Sequence, residues 1–210
     1  LFDPADVINL RVIPDNPTAN KYKNAENDLP FADTIALSKN YPNAFPCIGV
    51  NPRINLRTLA TIKNLAIDID GAPLPAWAKE RADIICSRGK LNHHLYFMFA
   101  EGVTRDEYKT LAARLIAATP GADKAVSDPE RVLRLPGFSY NKKGVSGEGY
   151  KIAFMRKKID RLLMAEKFAW LNKEQGGVYE KALTYAPLPV AAPNAAAYLK
   201  NLYLKKEKLN

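Results

Sequence analysis

The sequence predicts an α+β protein built on a mainly antiparallel sheet. Strand-like and helix-like segments are intermixed through residues 1–175, without the strict strand–helix alternation that a parallel sheet requires. The segments DIICS and HHLYFMF are separated only by RGKLN, and two strands with so short a loop indicate an antiparallel hairpin. The composition, 47% hydrophobic and 25% charged, is typical of a globular chain.

The N-terminal third of the sequence predicts two strands separated by a loop and a helix. In chain order these are a strand in DVINLRVIP, a loop in DNPTANKYKNAENDLP, a short helix in FADTIALSKN and a strand in FPCIGVNPR. The following segment, LRTLATIKNLAIDIDG, passes from a short helix or loop into a strand around Leu65–Ile69.

The middle of the chain predicts a short helix in PAWAKERA, the hairpin, and then a longer amphipathic helix in TRDEYKTLAARLIAAT. Thr104 and Glu107 have the spacing of a capping box at the start of that longer helix. Its apolar face is predicted to consist of Tyr108, Leu111, Leu115 and Ile116. Strands in RVLRLPGF and YKIAFMR and a helix in DRLLMAEKFAWLNKEQ complete the predicted elements.

Three segments are predicted along the chain: a folded domain over 1–175, a linker over 176–193 that is rich in Pro and Ala, and a basic helix over 194–210. The net charge is +9, and the positive excess is concentrated toward the C-terminus. Such a balance suggests a polyanionic partner, with nucleic acid first, and is equally typical of a basic surface that keeps the protein soluble. In the final helix we expect the lysines to contact nucleic acid and Tyr198 and Leu202 to dock on the protein.

Several classes of protein are excluded by what the sequence lacks. No apolar run approaches the roughly 20 residues that cross a bilayer, and no secretory signal is visible at the start. Cys47 and Cys86 are expected to be reduced, half-buried thiols of a cytoplasmic protein. These cysteines with His93 and His94 do not have the close spacing of a zinc site.

The stretch NLAIDIDG places two carboxylates inside an apolar strand. Residues two apart in a strand share a face, so Asp68 and Asp70 project together while Ile67 and Ile69 point into the core. Two adjacent carboxylates repel each other unless a cation lies between them, and hard oxygen ligands favour Mg²⁺ or Mn²⁺. The alternative is a solvated surface pair. A third carboxylate is offered by Asp128 in KAVSDPERVLRLPG, which is equally typical of a turn before Pro.

The loop in CSRGKLNHHLYF combines a hydroxyl, a glycine, two cations and two histidines. Small, cationic loops bind phosphates through backbone N–H groups and point charges. The candidates are Ser87, Arg88, Lys90 and one histidine, and alternation with Tyr96 favours His94 over His93. The alternative is a tight hairpin with exposed basic residues and one histidine packed beside Tyr96.

These motifs follow one another in an order that resembles the archaeo-eukaryotic primase superfamily, specifically the primase-polymerase domains of plasmid, phage and other mobile-element replication proteins. The resemblance covers most of residues 1–155. The matching segments are GVNPR, LAIDID, SRGKLNHHLYF and SDPERVLRLPGFSYNKKG.

The resemblance implies an enzyme that synthesises or extends primers on a single-stranded DNA template by two-metal nucleotidyl transfer from dNTPs or NTPs. The expected fold is an RRM-like antiparallel sheet with an N-terminal α/β module that contacts the template. The missing initiator Met and the trailing linker are compatible with a helicase domain elsewhere in a longer protein, and no membrane partner is expected. The implied metal ligands, for two Mg²⁺ or Mn²⁺ ions, are Asp68, Asp70 and Asp128; the implied nucleotide ligands are Ser87, Arg88, Lys90, His94, Arg134 and Lys143, with His93, Asn141, Arg53 and Arg131 as further candidates.

Two other functions use some of the same residues. A metal-dependent nuclease or phosphodiesterase would use the carboxylates but would not need a triphosphate-binding loop. A non-catalytic RRM-like module would carry aromatic side chains on its sheet for stacking with bases, where this sequence places carboxylates. Both comparisons favour the primase-polymerase.

Overall fold

A computed structural model describes residues 6–14, 25–30, 33, 44–55, 58–142, 145–157 and 167–171. These residues belong to one compact unit, Leu1–Leu171. The predicted linker and the basic C-terminal helix lie outside the described residues, as does the helix predicted in FADTIALSKN except for Asp33. Within the described residues no helix is long and apolar enough to cross a membrane.

The described residues form twelve strands and two α-helices. The strands are β1 (Val7–Pro14), β2 (Ala25–Pro30), β3 (Ala44–Gly49), β4 (Arg53–Asn55), β5 (Thr58–Leu59), β6 (Asn64–Asp70), β7 (Ile84–Arg88), β8 (Asn92–Met98), β9 (Val132–Arg134), β10 (Tyr140–Lys142), β11 (Val145–Gly147) and β12 (Lys151–Met155). The helices are α1 (Ala78–Arg81) and α2 (Arg105–Ala117), followed by a 3₁₀ turn at Lys124–Val126.

The strands assemble into two four-stranded sheets and two small hairpins, and every described strand pair is antiparallel. The first sheet has the order β2-β1-β3-β9 and the second has the order β12-β7-β8-β6. The mainly antiparallel α+β class predicted from the sequence is confirmed. The N-terminal α/β module stays a prediction, because the helix expected in it falls outside the described residues.

One predicted loop was wrong. The polar segment before Pro30 contains β2, which pairs with β1 along its whole length as an edge strand. Its residues, AENDLP, have little preference for strand conformation, so tertiary pairing and not local propensity decides the structure here.

The second sheet carries its main hydrophobic core on one face. Ile67 and Ile69 of β6 are fully buried there, as the alternation in NLAIDID predicts. Helix α2 covers this face, and all four residues of its predicted apolar side are buried. The capping box at Thr104 and Glu107 is present as predicted: Thr104 accepts from the Glu107 amide, and the Glu107 carboxylate accepts from the Thr104 amide.

The opposite face of the second sheet bears a smaller core that reaches the first sheet. It includes Ala66, Cys86 and Tyr96 of the second sheet and Leu133 of β9 in the first, with Val50, Val126 and Tyr150. Cys47 and Cys86 are free, and both are buried more completely than the half-buried thiols predicted. This second core brings the two sheets together beside the predicted carboxylates.

Asn51 ties the two sheets to each other at the end of β3. Its Oδ1 accepts from the amides of Lys63 and Asn64 at 2.9 and 2.8 Å, and its Nδ2 donates to the carbonyls of Asn64 and Pro129. Asn51 is fully buried, so these four bonds satisfy an amide that would otherwise cost stability.

Candidate active site

The register of the second sheet assembles the candidate site. Asp68 lies opposite His94 and His94 lies opposite Cys86, while Asp70 lies opposite Asn92. Directly paired residues of an antiparallel sheet share a face. Asp68, Asp70 and His94 therefore lie on the face of the second core, with Arg88, the partner of Asn92, at the end of β7.

Asp68 is a half-buried carboxylate, and one of its oxygens has no hydrogen-bond partner. Its side chain is 17% exposed, and Oδ1 is buried without a hydrogen-bond partner. Burial, followed by the negative charges of Asp70 and Asp123, raises the pKa of Asp68 to about 7. A cation at this position would satisfy the orphaned oxygen and relieve the repulsion between the carboxylates.

The third carboxylate near Asp68 is Asp123, which the sequence analysis missed. Its amide donates to the Asp68 carbonyl at 2.8 Å, and the Asp70 amide donates to the Gly121 carbonyl at 2.9 Å. These bonds place residues 121–123 directly beside β6. Asp123 had no visible signal in the sequence, because its position depends on long-range pairing with β6 and not on a local motif.

Asp128, the third carboxylate predicted from the sequence, has different neighbours. Its Oδ1 lies 3.5 Å from Arg105 of α2, and it lies beside Glu130, which also pairs with Arg105. More than half of its side chain is exposed. The structure thus places Asp123 next to the strand that carries Asp68 and Asp70, and it places Asp128 beside Arg105, the first residue of α2.

His94 is the histidine on the carboxylate face. Its Nε2 lies 3.6 Å from Asp68 Oδ1, and its ring stacks on Tyr150 with centroids 3.8 Å apart. Burial, assisted by nearby Arg134 and Arg88, lowers the pKa of His94 to about 3. The ring is therefore neutral, and its contact with Asp68 is not an ion pair. The Tyr96 hydroxyl lies 3.4 Å from Nδ1.

Three arginines supply positive charge around the carboxylates. Arg134 of β9 and Arg131 both act on Asp68 to lower its pKa, against the larger effect of burial. Arg131 also lies 3.6 Å from Asp123 Oδ2. Arg88 lies over the Tyr150 ring, with its guanidinium carbon 5.8 Å from the ring centroid. Tyr150, which the sequence analysis missed, thus contacts both Arg88, a predicted nucleotide ligand, and His94.

Ser87 and His93 lie on the other face. Ser87 of β7 pairs with His93 of β8, and His93 also pairs with Ile69 of β6, which belongs to the main core. Ser87 Oγ is 2.8 Å from His93 Nδ1. The register therefore turns the predicted Ser87 ligand away from Asp68 and distinguishes His94 from His93.

The other predicted residues are spread around this site. Lys90 is exposed in the turn between β7 and β8. Arg53 is buried and donates to the Glu130 carbonyl at 3.2 Å. Lys143 lies outside the described residues, and only the backbone of Asn141 is described, in β10.

Asp68, Asp70 and Asp123 have the oxygen ligands that a divalent cation prefers, but their side chains do not converge on one point. Among the residues that the structure describes, no three His, Cys, Asp or Glu side chains are arranged closely enough to hold a metal ion. Asp123 instead accepts from the Ala125 amide at 2.9 Å and faces Arg131. The orphaned Asp68 oxygen, with Asp70 on the same face, is the observation that supports the fit.

The comparison with protein families is decisive. The family described as RepB DNA-primase N-terminal domain matches residues 61–174, just over half of the chain. The chain belongs to this primase family. The match includes the carboxylate strand, the hairpin, α2 and the segment that carries Asp123 and Arg134. No sequence among curated proteins matches significantly.

Solved structures show that the fold is that of archaeo-eukaryotic primase domains. The AEP domain of the cyanophage S-2L primase-polymerase is 21% identical, with a TM-score of 0.60 over 80% of this chain and 90% of that one. The catalytic domain of primase RepB′, solved in complex with initiator DNA, is 15% identical, with a TM-score of 0.57 over 86% and 91%. A second structure of RepB′ has the same identity and TM-score over 94% of this chain and 64% of that chain.

Proposed function

We propose that the chain is a primase-polymerase domain that synthesises or extends primers on single-stranded DNA by nucleotidyl transfer. The observation that carries the proposal is the shared face on which Asp68 and Asp70 lie beside neutral His94 and a group of arginines. This arrangement of anionic metal ligands next to phosphate ligands is what transfer from a nucleoside triphosphate requires. It lies within a chain of the primase family.

Two divalent cations, Mg²⁺ or Mn²⁺, would be held by Asp68, Asp70 and Asp123, and would supply an activated primer hydroxyl and a charge clamp on the phosphates. Asp123 takes the place that the sequence analysis gave to Asp128. Its proximity to Asp68 supports this exchange, since the two are joined through a backbone hydrogen bond.

The triphosphate would bind on the arginine side of the face. Arg88, Arg134 and Lys90 would offset its negative charge. His94, as a neutral imidazole, would donate one hydrogen bond from a ring nitrogen without adding charge. Arg131 would exchange its ion pair with Asp123 for a phosphate of nucleotide or template.

The single-stranded template is the partner that the charge of the chain favours. The net charge of +9 provides a general attraction for a polyanion. RepB′, which shares the fold, was solved with initiator DNA. A helicase would act with this domain on the same template, either as another domain or as a separate protein.

The test is incorporation of labelled dNTPs and NTPs on single-stranded DNA, with and without a primer, in Mg²⁺ and in Mn²⁺. The Asp68→Ala/Asp70→Ala double variant is the inactive control, and Glu101→Ala, an exposed loop residue, is the matched active control. Products formed without a primer and lost in the double variant are expected. Extension of primed DNA alone would restrict the proposal to polymerase activity. Metal-dependent shortening of the DNA without synthesis would replace it by a nuclease.

A further inference from the structure

The turn between β7 and β8 is closed by a hydrogen-bonded chain on the face away from the carboxylates. His93 Nε2 lies 3.0 Å from the Lys90 carbonyl oxygen. A carbonyl can only accept, so Nε2 carries a hydrogen. In the neutral ring Nδ1 is then an acceptor, and the Ser87 hydroxyl at 2.8 Å donates to it. The chain runs from Ser87 through His93 to Lys90.

This chain connects the three parts of the turn. Ser87 belongs to β7, His93 to β8, and Lys90 to the apex between them. The apex depends on Gly89, whose φ of +67° is a conformation that side chains rarely adopt. The turn is also joined to the end of β6, because the Ala72 amide donates to the Leu91 carbonyl at 3.0 Å.

The histidine ring of this chain is buried. His93 is only 4% exposed, and its strand partner on the other side is the fully buried Ile69. Neither Ser87 nor His93 shares a face with Asp68 or His94. A nucleotide held at the carboxylate face would therefore meet Arg88 and Lys90 without touching the pair behind them.

We propose that Ser87 and His93 are positioning residues that brace the turn and so fix where Arg88 and Lys90 meet the triphosphate. This inference rests on the proposed function, since it assigns those two cations to the nucleotide. It differs from the sequence-based expectation, in which Ser87 itself binds phosphate. A preformed turn lowers the entropy cost of binding, so loosening it weakens nucleotide affinity more than it slows chemistry.

Four variants separate the bonds of the brace. Ser87→Ala removes the hydroxyl, and Ser87→Thr restores it. His93→Gln places an amide donor where Nε2 donates to Lys90, and His93→Asn places an acceptor where Nδ1 accepts from Ser87. Thr104→Ala is the matched control, because it removes a hydroxyl of similar structural value in the cap of α2.

Two readouts are needed, and only one of them depends on activity. The first is amide hydrogen exchange at Ala72 and at residues 89–91, which reports opening of the turn. The second is the KM for nucleotide and kcat in primer extension. We expect Ser87→Ala to speed exchange at these amides by about tenfold, the effect of one lost hydrogen bond. KM should rise by a similar factor with kcat nearly unchanged, and Ser87→Thr should recover both.

Three outcomes would overturn the inference. If Ser87→Ala abolished nucleotide binding while exchange at Ala72 stayed at the wild-type rate, Ser87 would be a direct ligand. If exchange and KM in Ser87→Ala matched Thr104→Ala, the brace would have no positioning role. If the wild-type protein bound no nucleotide although exchange still responded to Ser87→Ala, the proposed function would fail and the positioning role with it, while the exchange data would show that the brace itself exists. The exchange readout therefore distinguishes a failed brace from a failed enzyme.

Discussion

Replacing Asp68 by Asn should stabilise the metal-free protein at alkaline pH. In the folded state the pKa of Asp68 is raised from 3.8 to about 7, mainly by burial and then by Asp70 and Asp123. The folded protein therefore holds this proton over a range of pH in which the unfolded chain has lost it. Stability must then fall as pH rises from about 4 to about 7, and level off above that.

The size of the effect follows from the same shift. One pKa unit corresponds to about 1.4 kcal/mol, so a shift from 3.8 to about 7 corresponds to a cost on the order of 4 kcal/mol at pH 8 and above. Asn has nearly the same shape and carries no charge. We expect Asp68→Asn to recover a large part of this cost at pH 8.5 and to change little at pH 4.

Urea unfolding in EDTA between pH 4 and pH 8.5 measures both curves. Glu101→Gln, an exposed carboxylate, is the control and should shift stability by less than about 0.5 kcal/mol at any pH. Adding Mg²⁺ or Mn²⁺ at pH 8.5 should stabilise the wild type and not the variant, because only the wild type offers the charged site. An unchanged pH slope in Asp68→Asn would refute the argument, since the cost would then lie in another group.

Three further predictions concern the neighbours of this site. Asp123→Ala should abolish nucleotide incorporation while Asp128→Ala retains most of it, as measured by primer extension; the reverse order would return the third metal ligand to Asp128. Tyr150→Leu should raise the KM for nucleotide several-fold through loss of the ring stacked on His94, and Tyr150→Phe should not; equal values in both would show that the stack has no role. Lys167→Ala should destabilise the fold by about 3–5 kcal/mol in chemical unfolding. In the wild type Lys167 Nζ lies 2.5 Å from the buried Asp83 carboxylate, and the variant leaves that charge buried without this ion pair; a loss below about 1 kcal/mol would contradict this.

Local patterns predicted the parts of the fold that local physics decides. The alternation in NLAIDID predicted that Ile67 and Ile69 of β6 are buried, and the capping box at Thr104 predicted the start of α2. The same alternation argument favoured His94 over His93, and the register places His94 on the face of Asp68, while its role as a nucleotide ligand stays a prediction. Each of these features depends on residues within one element or across one tight turn.

Long-range pairing decided what the sequence did not predict. Asp123 and Asp128 both lie between α2 and β9. Asp123 is placed beside β6 by two backbone hydrogen bonds, from its own amide to the Asp68 carbonyl and from the Asp70 amide to the Gly121 carbonyl. The face on which Ser87 lies follows from its pairing with His93, and that face is opposite the one that carries Asp68 and His94. β2 likewise forms because its backbone pairs with β1.

Contacts around the site explain how the fold holds polar side chains beside the second core. Buried His94 and half-buried Asp68 lie on the face where the two sheets meet, and the pKa of Asp68 is raised because burial there disfavours its charge. Asn51 joins the sheets with four hydrogen bonds, and the second core adds Tyr96 and Tyr150 around His94. Those contacts hold the carboxylates in place without neutralising them. A site built in this way gains stability when a cation binds, so folding and metal binding should be coupled.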